Sequence, residues 1–204
     1  MRITLIDAGK RFNRDWIFRR LSYEFTQGHS YAITGPNGSG KSTLLQAIGG
    51  ALTISEGAIK YTASRDIPAD QVFKQVAIAA PYLELIEEMT VTEFLHFHQA
   101  FKPLLSSCTI KDIISRVGLV KAADKQIRYY SSGMKQRVKL AQAIFSDTPM
   151  ILLDEPCTNL DGEGVALYRQ LIGEYCGGRM VIVSSNDVQE YDFCEHSLSI
   201  MDYK

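Results

Sequence analysis

The sequence predicts an α/β fold in which a doubly wound, mainly parallel sheet is joined by an N-terminal antiparallel β region and a helical insert. Three observations predict this class. Short apolar segments typical of buried strands alternate with segments of helical spacing. A glycine-rich loop stands between one such strand and one such helix, and a long helical stretch interrupts the alternation in the middle of the chain.

Length and composition indicate one globular domain. The 204 residues are 46% hydrophobic, which suits a single well-buried core. We therefore expect one domain over residues 1–204, with a helical subdomain at about 82–147. The formal net charge of -1 gives no overall basic field, so no nucleic-acid partner is expected.

Cysteine usage and hydropathy favour a cytosolic protein. The four cysteines stand far apart, without the C-x-x-C spacing of metal ligands, and no signal peptide is recognised. We expect reduced thiols at Cys108, Cys157, Cys176 and Cys194. No apolar run approaches the ~20 residues that cross a bilayer, so a membrane role would require a partner chain.

The N-terminal region predicts two strands, RITLID and LSYEF, joined by a loop with the basic and aromatic sequence GKRFNRDWIFRR. Phe12 and Trp16 in this segment are candidates for stacking on a purine base. Packing of either ring on the sheet is the alternative.

Gly35 to Thr43 (GPNGSGKST) fits the phosphate-binding pattern G-x-x-x-x-G-K-[ST]. It follows a predicted strand, SYAIT, and precedes a predicted helix, STLLQAI. Glycines let backbone N–H groups converge on a phosphate at a helix N-terminus. Lys41 would bridge the β- and γ-phosphates and Ser42 would bind Mg²⁺. The loop thus predicts a P-loop NTPase core that binds the phosphates of a nucleotide through Gly35, Pro36, Asn37, Gly38, Ser39, Gly40, Lys41, Ser42 and Thr43.

The middle of the chain predicts short strands at 57–61 and 76–80, separated by a polar loop, and then three helices up to about residue 145. Thr90, Thr109 and either Ser131 or Ser132 are suitable N-caps for these helices.

The sequence predicts a further strand at Met150 to Leu153, which ends at Asp154 and Glu155. A buried parallel strand of this kind delivers acids to the carboxyl edge of the sheet. Asp154 would then hold Mg²⁺, and Glu155 would orient or deprotonate the attacking water; solvated acids at a strand end are the alternative. A helix at 162–175 and strands at 180–184 and 198–201 complete the alternation.

The segment YSSGMKQR at 130–137 is similar to the LSGGQ signature of ABC transporter ATP-binding subunits, and the chain resembles that family over almost its whole length. The resemblance implies that Ser131, Ser132 and Gly133 contact the γ-phosphate of a nucleotide held by a second copy of the domain. Two ATP molecules would be enclosed in a homodimer or heterodimer of ATP-binding subunits.

Two further segments match this family. CTNLD at 157–161 resembles its D-loop, with Asp161 as the usual acid and Cys157 where Ser or Thr is common. The adenine-stacking ring falls at Phe12 by its distance before the P-loop, with Trp16 as the alternative.

Two positions depart from the family pattern. Pro81 stands where members carry a Gln that touches Mg²⁺ and water, and Asn186 stands where they carry a His that contacts the γ-phosphate. Tyr82 or Glu84 would have to replace the Gln. Asn keeps an amide donor but cannot carry a proton. We therefore expect ATP and Mg²⁺ binding with slower or differently coupled hydrolysis.

The resemblance implies an ATPase that powers transport through a separate integral membrane subunit, docked near residues 83–101. An ordinary helical core would have the same composition as this segment. The expected location is cytoplasmic, peripheral at the inner face of the cell membrane. One alternative is a soluble ABC-type ATPase with a regulatory or assembly role. Another is a module that closes on ATP without hydrolysis, against which Glu155 argues.

Overall fold

In the computed structural model, which describes residues 1–204, the chain divides into two compact units. The first contains Met1–Val76, Thr148–Asp154 and Gly178–Lys204, and the second contains Ala77–Asp147 and Glu155–Gly177.

The chain contains nine strands and six α-helices. The strands are β1 (Arg2–Phe12), β2 (Asp15–Thr26), β3 (Ser30–Thr34), β4 (Glu56–Thr62), β5 (Asp66–Ile67), β6 (Val76–Ala79), β7 (Met150–Asp154), β8 (Met180–Ser184) and β9 (His196–Ser199). The helices are α1 (Lys41–Ile48), α2 (Val91–Phe101), α3 (Ile110–Arg116), α4 (Ser132–Ile144), α5 (Gly162–Tyr175) and α6 (Val188–Tyr191). None of them has the length and apolar character of a transmembrane helix.

The N-terminal sheet is antiparallel, in the order β2-β1-β4-β5. The loop predicted between RITLID and LSYEF is wrong, because the basic and aromatic residues continue both strands and pair across them. Lys10 lies opposite Phe18, and Arg11 lies opposite Trp16. Only a two-residue turn at 13–14 separates the strands, and Asn13 adopts φ +52° there, which suits a tight hairpin.

The parallel sheet of the first unit contains β7, β8, β3 and β9, in that order. Every residue of β7 and β8 is buried, as expected for a sheet covered on both faces. Asp154 lies opposite Ser184, and Thr34 lies opposite Ser199. The strand that leads into the P-loop and the strand that carries Asp154 therefore end at one edge of the sheet.

The three helices predicted in the middle of the chain are present in the second unit, with the predicted caps. Thr90 and Thr109 each form a capping box with the acid three residues later, and Ser131 caps α4. The polar segment before β6 is not all loop, because residues 69–74 form a 3₁₀ helix. The last strand, predicted at 198–201, is β9, and a 3₁₀ turn begins at Ile200.

Candidate nucleotide-binding site

The P-loop wraps closely because three of its positions require glycine. Gly35, Gly38 and Gly40 have φ values of 147°, 75° and 98°, which L side chains rarely adopt. A Cβ on Gly35 would lie 2.8 Å from the Ser39 hydroxyl, and one on Gly40 would overlap the side chain of Ile17. The loop is therefore fixed by contacts as well as by dihedral angles.

Lys41 already lies inside the loop. Its side chain is buried, and its ammonium donates to the carbonyl oxygens of Gly35 (2.9 Å) and Pro36 (3.2 Å). Helix α1 starts at this residue without a side-chain cap and without an acid in its first turn. Its first N–H groups are available to an anion, with the helix dipole adding positive potential.

Lys204, in the segment after β9, contacts the loop backbone. The Lys204 ammonium donates to the carbonyl oxygens of Ser39 (2.5 Å) and Ile17 (2.8 Å). No motif in the sequence indicates this contact, because it depends on how the segment after β9 returns to the loop.

Asp154 provides a buried carboxylate at the end of β7. It is 2% exposed, and its Oδ1 has no hydrogen-bond partner. The hydroxyl of Ser184, opposite it on β8, is likewise buried without a partner. Buried polar atoms are normally satisfied, and carboxylate and hydroxyl oxygens are ligands that Mg²⁺ accepts. The Asp154 Oδ1 is therefore suited to bind a cation. Ser184 is a polar residue of this site that no sequence motif indicates.

Phe12 and Trp16 differ in what covers their rings. Phe12, the last residue of β1, is 47% exposed, with the Lys10 ammonium 4.9 Å from its ring centroid. The guanidinium groups of Arg19 and Arg11 lie over the Trp16 ring at 4.4 and 5.6 Å. Two cations thus lie over the Trp16 ring and one over the Phe12 ring, and Phe12, which is exposed, is the more available ring for stacking.

The predicted signature residues lie at the N-terminus of α4. Ser131 accepts a hydrogen bond from the Met134 N–H (3.3 Å), and both Ser131 and Ser132 are exposed. A Cβ on Gly133 would lie 2.9 Å from the carbonyl oxygen of Asn159. A glycine is needed here because the D-loop backbone packs directly on the helix.

Asp161 belongs to the same part of the second unit. Its carboxylate accepts from the Gly164 N–H (2.8 Å), capping α5, and lies 3.8 Å from the guanidinium of Arg137 on α4. The structure brings the predicted signature and D-loop residues together around a cleft of about 390 Å³, which is lined by Ser131, Ser132, Gly133, Met134, Arg137, Asn159, Leu160 and Asp161.

Glu155 follows Asp154 directly but belongs to the second unit. It is partly exposed and adopts φ +42°, a left-handed conformation that is uncommon outside glycine. The buried side chain of Gln136 on α4 donates to the Pro156 carbonyl oxygen at 2.7 Å. Gln136 therefore fixes the turn after the carboxylate, a role that its position in the sequence does not reveal.

The segment that departs from the family pattern is held by two lysines of α4. Lys139 donates to the carbonyl oxygens of Ala80 (3.2 Å) and Pro81 (2.9 Å), and Lys135 pairs with Glu87 at 2.6 Å. Burial, together with the charge of Lys135, lowers the pKa of Lys139.

Three side chains are the candidates to replace the Gln and the His that the family pattern carries, and all three are exposed. They are Tyr82 and Glu84 in the second unit and Asn186, after β8, in the first.

The fold and this loop define a P-loop nucleotide-binding protein, and comparison with known proteins gives its family. The ABC transporter family model matches residues 18–158. An ABC transporter ATP-binding protein of Bacillus subtilis, YybJ, is 31% identical over 97% of this chain and 92% of its own. A cytochrome c biogenesis ATP-binding export protein, CcmA, of Mesorhizobium japonicum is 31% identical over 91% of both chains.

Solved structures agree in fold. A putative ABC transporter ATP-binding protein from Pyrococcus furiosus superposes with a TM-score of 0.85 over the whole of both chains, at 21% identity. The ATP-binding cassette MJ0796, dimeric in a post-hydrolysis state with ADP and Pi, gives 0.82 over 97% of this chain and 93% of its own, at 23% identity.

The chain belongs to the ABC transporter family, as an ATP-binding subunit of a transporter. Membership confirms the resemblance drawn from the motifs and the prediction of an ATPase. The superpositions confirm the α/β fold class.

Proposed function

We propose that this subunit dimerises around two MgATP molecules and powers transport through a separate integral membrane subunit. Residues 1–204 would act as one domain, with a helical subdomain at 82–147. The observation that carries the proposal is the exposed N-terminus of α4. Ser131 and Ser132 offer hydroxyl groups there, and Gly133 is fixed against the D-loop. Such a surface suits the γ-phosphate of a nucleotide bound to a second copy.

Each copy would hold one nucleotide on its own P-loop. Adenine would stack on Phe12, while the loop N–H groups and Lys41 would cradle the β- and γ-phosphates. Ser42 and the unpaired oxygen of Asp154 would hold Mg²⁺, which neutralises charge on the phosphates when bound.

Hydrolysis would depend on Glu155 accepting a proton from the attacking water. Asn186 would donate its amide to a γ-phosphate oxygen. Pro81 offers no side-chain donor, so Tyr82 or Glu84 would have to reach the water. We expect turnover slower than that of members with Gln and His at these positions, because two groups that orient the reactants are replaced.

The membrane subunit would dock on residues 83–101 and place the ATPase at the inner face of the cell membrane. Exposed apolar side chains support this location, with Ile86, Phe97 and Phe101 exposed to 37%, 43% and 74%. Copurification with an integral membrane protein tests this part. Copurification with a cytosolic partner alone would instead favour a regulatory or assembly ATPase.

The change Glu155→Gln tests the site as a whole. It removes the proton acceptor and keeps the shape, so we expect binding of MgATP without turnover and a long-lived dimer, measured by light scattering after gel filtration. The exposed acid Glu163 provides a matched control, since Glu163→Gln should leave turnover and dimer lifetime unchanged. An unchanged dimer lifetime in the Glu155 variant would show that this acid does no chemistry.

A further inference from the structure

Three ligand-type side chains converge at the amino edge of the parallel sheet. His29 immediately precedes β3, while Glu195 and His196 lie where β9 begins. One ligand atom from each residue lies within 4.8 Å of the other two. The P-loop leaves β3 at its other end, so this cluster is separate from the nucleotide site.

Each of the three residues is held in place by a backbone hydrogen bond or by strand pairing. The Glu195 N–H donates to the carbonyl oxygen and the hydroxyl of Ser30, each at 3.1 Å. His196 lies opposite Tyr31 in the β3–β9 ladder, and its ring stacks on the Tyr31 ring with centroids 5.1 Å apart. The His29 carbonyl oxygen accepts from the N–H of Val181 on β8. His196 belongs to β9, and His29 and Glu195 directly precede β3 and β9 and are held by backbone hydrogen bonds, which lowers the entropic cost of bringing the three side chains together around an ion.

The chemistry of the cluster suits a borderline transition metal. Two imidazoles and one carboxylate form a ligand set of Zn²⁺ sites that keep an open fourth position. The His29 Nδ1 and a Glu195 carboxylate oxygen form a hydrogen bond of 2.5 Å, which the two groups would exchange for bonds to the metal. Side-chain exposures of 48% and 52% for His29 and Glu195 leave room for a water molecule as the remaining ligand.

We propose that His29, Glu195 and His196 form a Zn²⁺ site that joins the start of β3 to the start of β9. Strand β3 leads directly into the P-loop, and two residues that follow β9, Ile200 and Lys204, lie against the loop. Metal binding to the folded state alone raises its stability, so Zn²⁺ should stabilise the unit that binds nucleotide.

The test uses the full chain without an affinity tag, stripped with a chelator and free of nucleotide, in excess Mg²⁺ to occupy oxygen-ligand sites. Zn²⁺ binding is measured by calorimetry, Co²⁺ binding by its visible d–d absorption, and stabilisation by the thermal midpoint. We expect one site per chain and a higher midpoint with Zn²⁺. His29→Asn and His196→Asn should each weaken binding at least tenfold and abolish the shift in midpoint.

Two further variants separate this site from other ligands. His96 is exposed on α2, so His96→Asn serves as the matched control and should bind Zn²⁺ like the parent. Cys194→Ser should also bind like the parent, since no thiol is part of the proposed set. Three results would overturn the proposal: no Zn²⁺ binding, equal binding by the parent and both His variants, or a near-ultraviolet thiolate-to-Co²⁺ band that disappears in Cys194→Ser.

Discussion

Lys41 is the residue on which nucleotide affinity should depend most. Its ammonium is held by two loop carbonyl oxygens, and it would exchange these contacts for phosphate oxygens. A hydrogen bond to a charged group contributes about 1.5–3 kcal/mol, and about 1.4 kcal/mol corresponds to tenfold in affinity.

We therefore expect Lys41→Ala to weaken MgATP binding by at least about tenfold, as measured by calorimetry. Lys74 is exposed and ends the 3₁₀ helix before β6, and Lys74→Ala is the control. Equal affinities of the Lys41 variant and the parent protein would refute the assigned role of the loop.

Some site residues could be predicted because their chemistry is local in sequence. The P-loop is a run of nine residues whose glycines, lysine and serine occupy fixed offsets, so neighbouring residues alone define it. Lys204 and Ser184 carry no such signal. They lie near the loop or near Asp154 only after the strands have assembled, and no spacing in the sequence encodes that proximity.

At the scale of elements, the contact between α4 and the D-loop should be sensitive to one methyl group. A Cβ on Gly133 would lie 2.9 Å from the Asn159 carbonyl oxygen, whereas a Cβ on Gly173 in α5 would meet nothing within 4 Å. Overpacking of this kind costs about 1–3 kcal/mol. Ala in place of Gly in an open helix interior adds about 0.5–1 kcal/mol.

We thus expect Gly133→Ala to lower the thermal midpoint by roughly 2–10 °C and Gly173→Ala to leave it unchanged or raise it. Calorimetry of both variants checks this. Equal thermal midpoints for the two variants would mean that α4 and the D-loop can move apart at little cost in free energy.

The stability of the folded chain should depend on pH through His98, which lies near the end of α2. Burial, with the charge of Lys102, lowers the pKa of this imidazole from 6.5 to about 4, and its Nε2 lies 2.8 Å from the Ser146 hydroxyl. Between these two values the unfolded chain binds the proton more readily than the folded chain. Stability should therefore fall as the pH drops from about 6.5 to about 4.

His98→Gln cannot take up this proton, so it should reduce the loss of stability across that window. Thermal midpoints measured at several pH values check the prediction, with the exposed His96→Gln as control. Parallel pH profiles for the His98 variant and the parent would contradict it.

Elements with strong periodicity or caps were predictable, whereas elements set by pairing were not. Thr90 and Thr109 mark helix starts because their capping boxes lie within four residues. The extension of β1 and β2 through the basic segment depends on cross-strand partners such as Arg11 and Trp16, which no single window contains. The register of β9 is set by β3, and for that reason its start was predicted two residues late.

At the scale of the whole molecule, the boundary between the two units falls between adjacent carboxylates. Asp154 belongs to the unit that carries the P-loop, and Glu155 belongs to the unit that carries the signature residues and the D-loop. The proposed metal ligand and the proposed proton acceptor thus belong to different compact units, although they are neighbours in sequence. We expect nucleotide binding and hydrolysis to be separable by mutation, because one carboxylate would hold the metal ion and the other would accept a proton from water.

A shared site in a dimer makes a prediction that a monomeric ATPase does not. Lys41→Ala disables the P-loop of its own copy. Ser132→Asp places a negative charge where the γ-phosphate of the other copy would bind. An acid in the first turn is favourable for a helix, so the second variant should fold normally. Each homodimer then lacks both complete sites.

A mixture of these two variants should recover part of the activity. In a two-fold symmetric dimer, each mixed pair contains one site formed by an intact P-loop and an intact signature. We expect no turnover from either variant alone and partial ATPase activity after mixing, measured by phosphate release. The recovered rate should rise with total protein concentration, because the mixed dimer must assemble. Mixtures that stay inactive although mixed dimers form on ATP would show that each copy completes its own site.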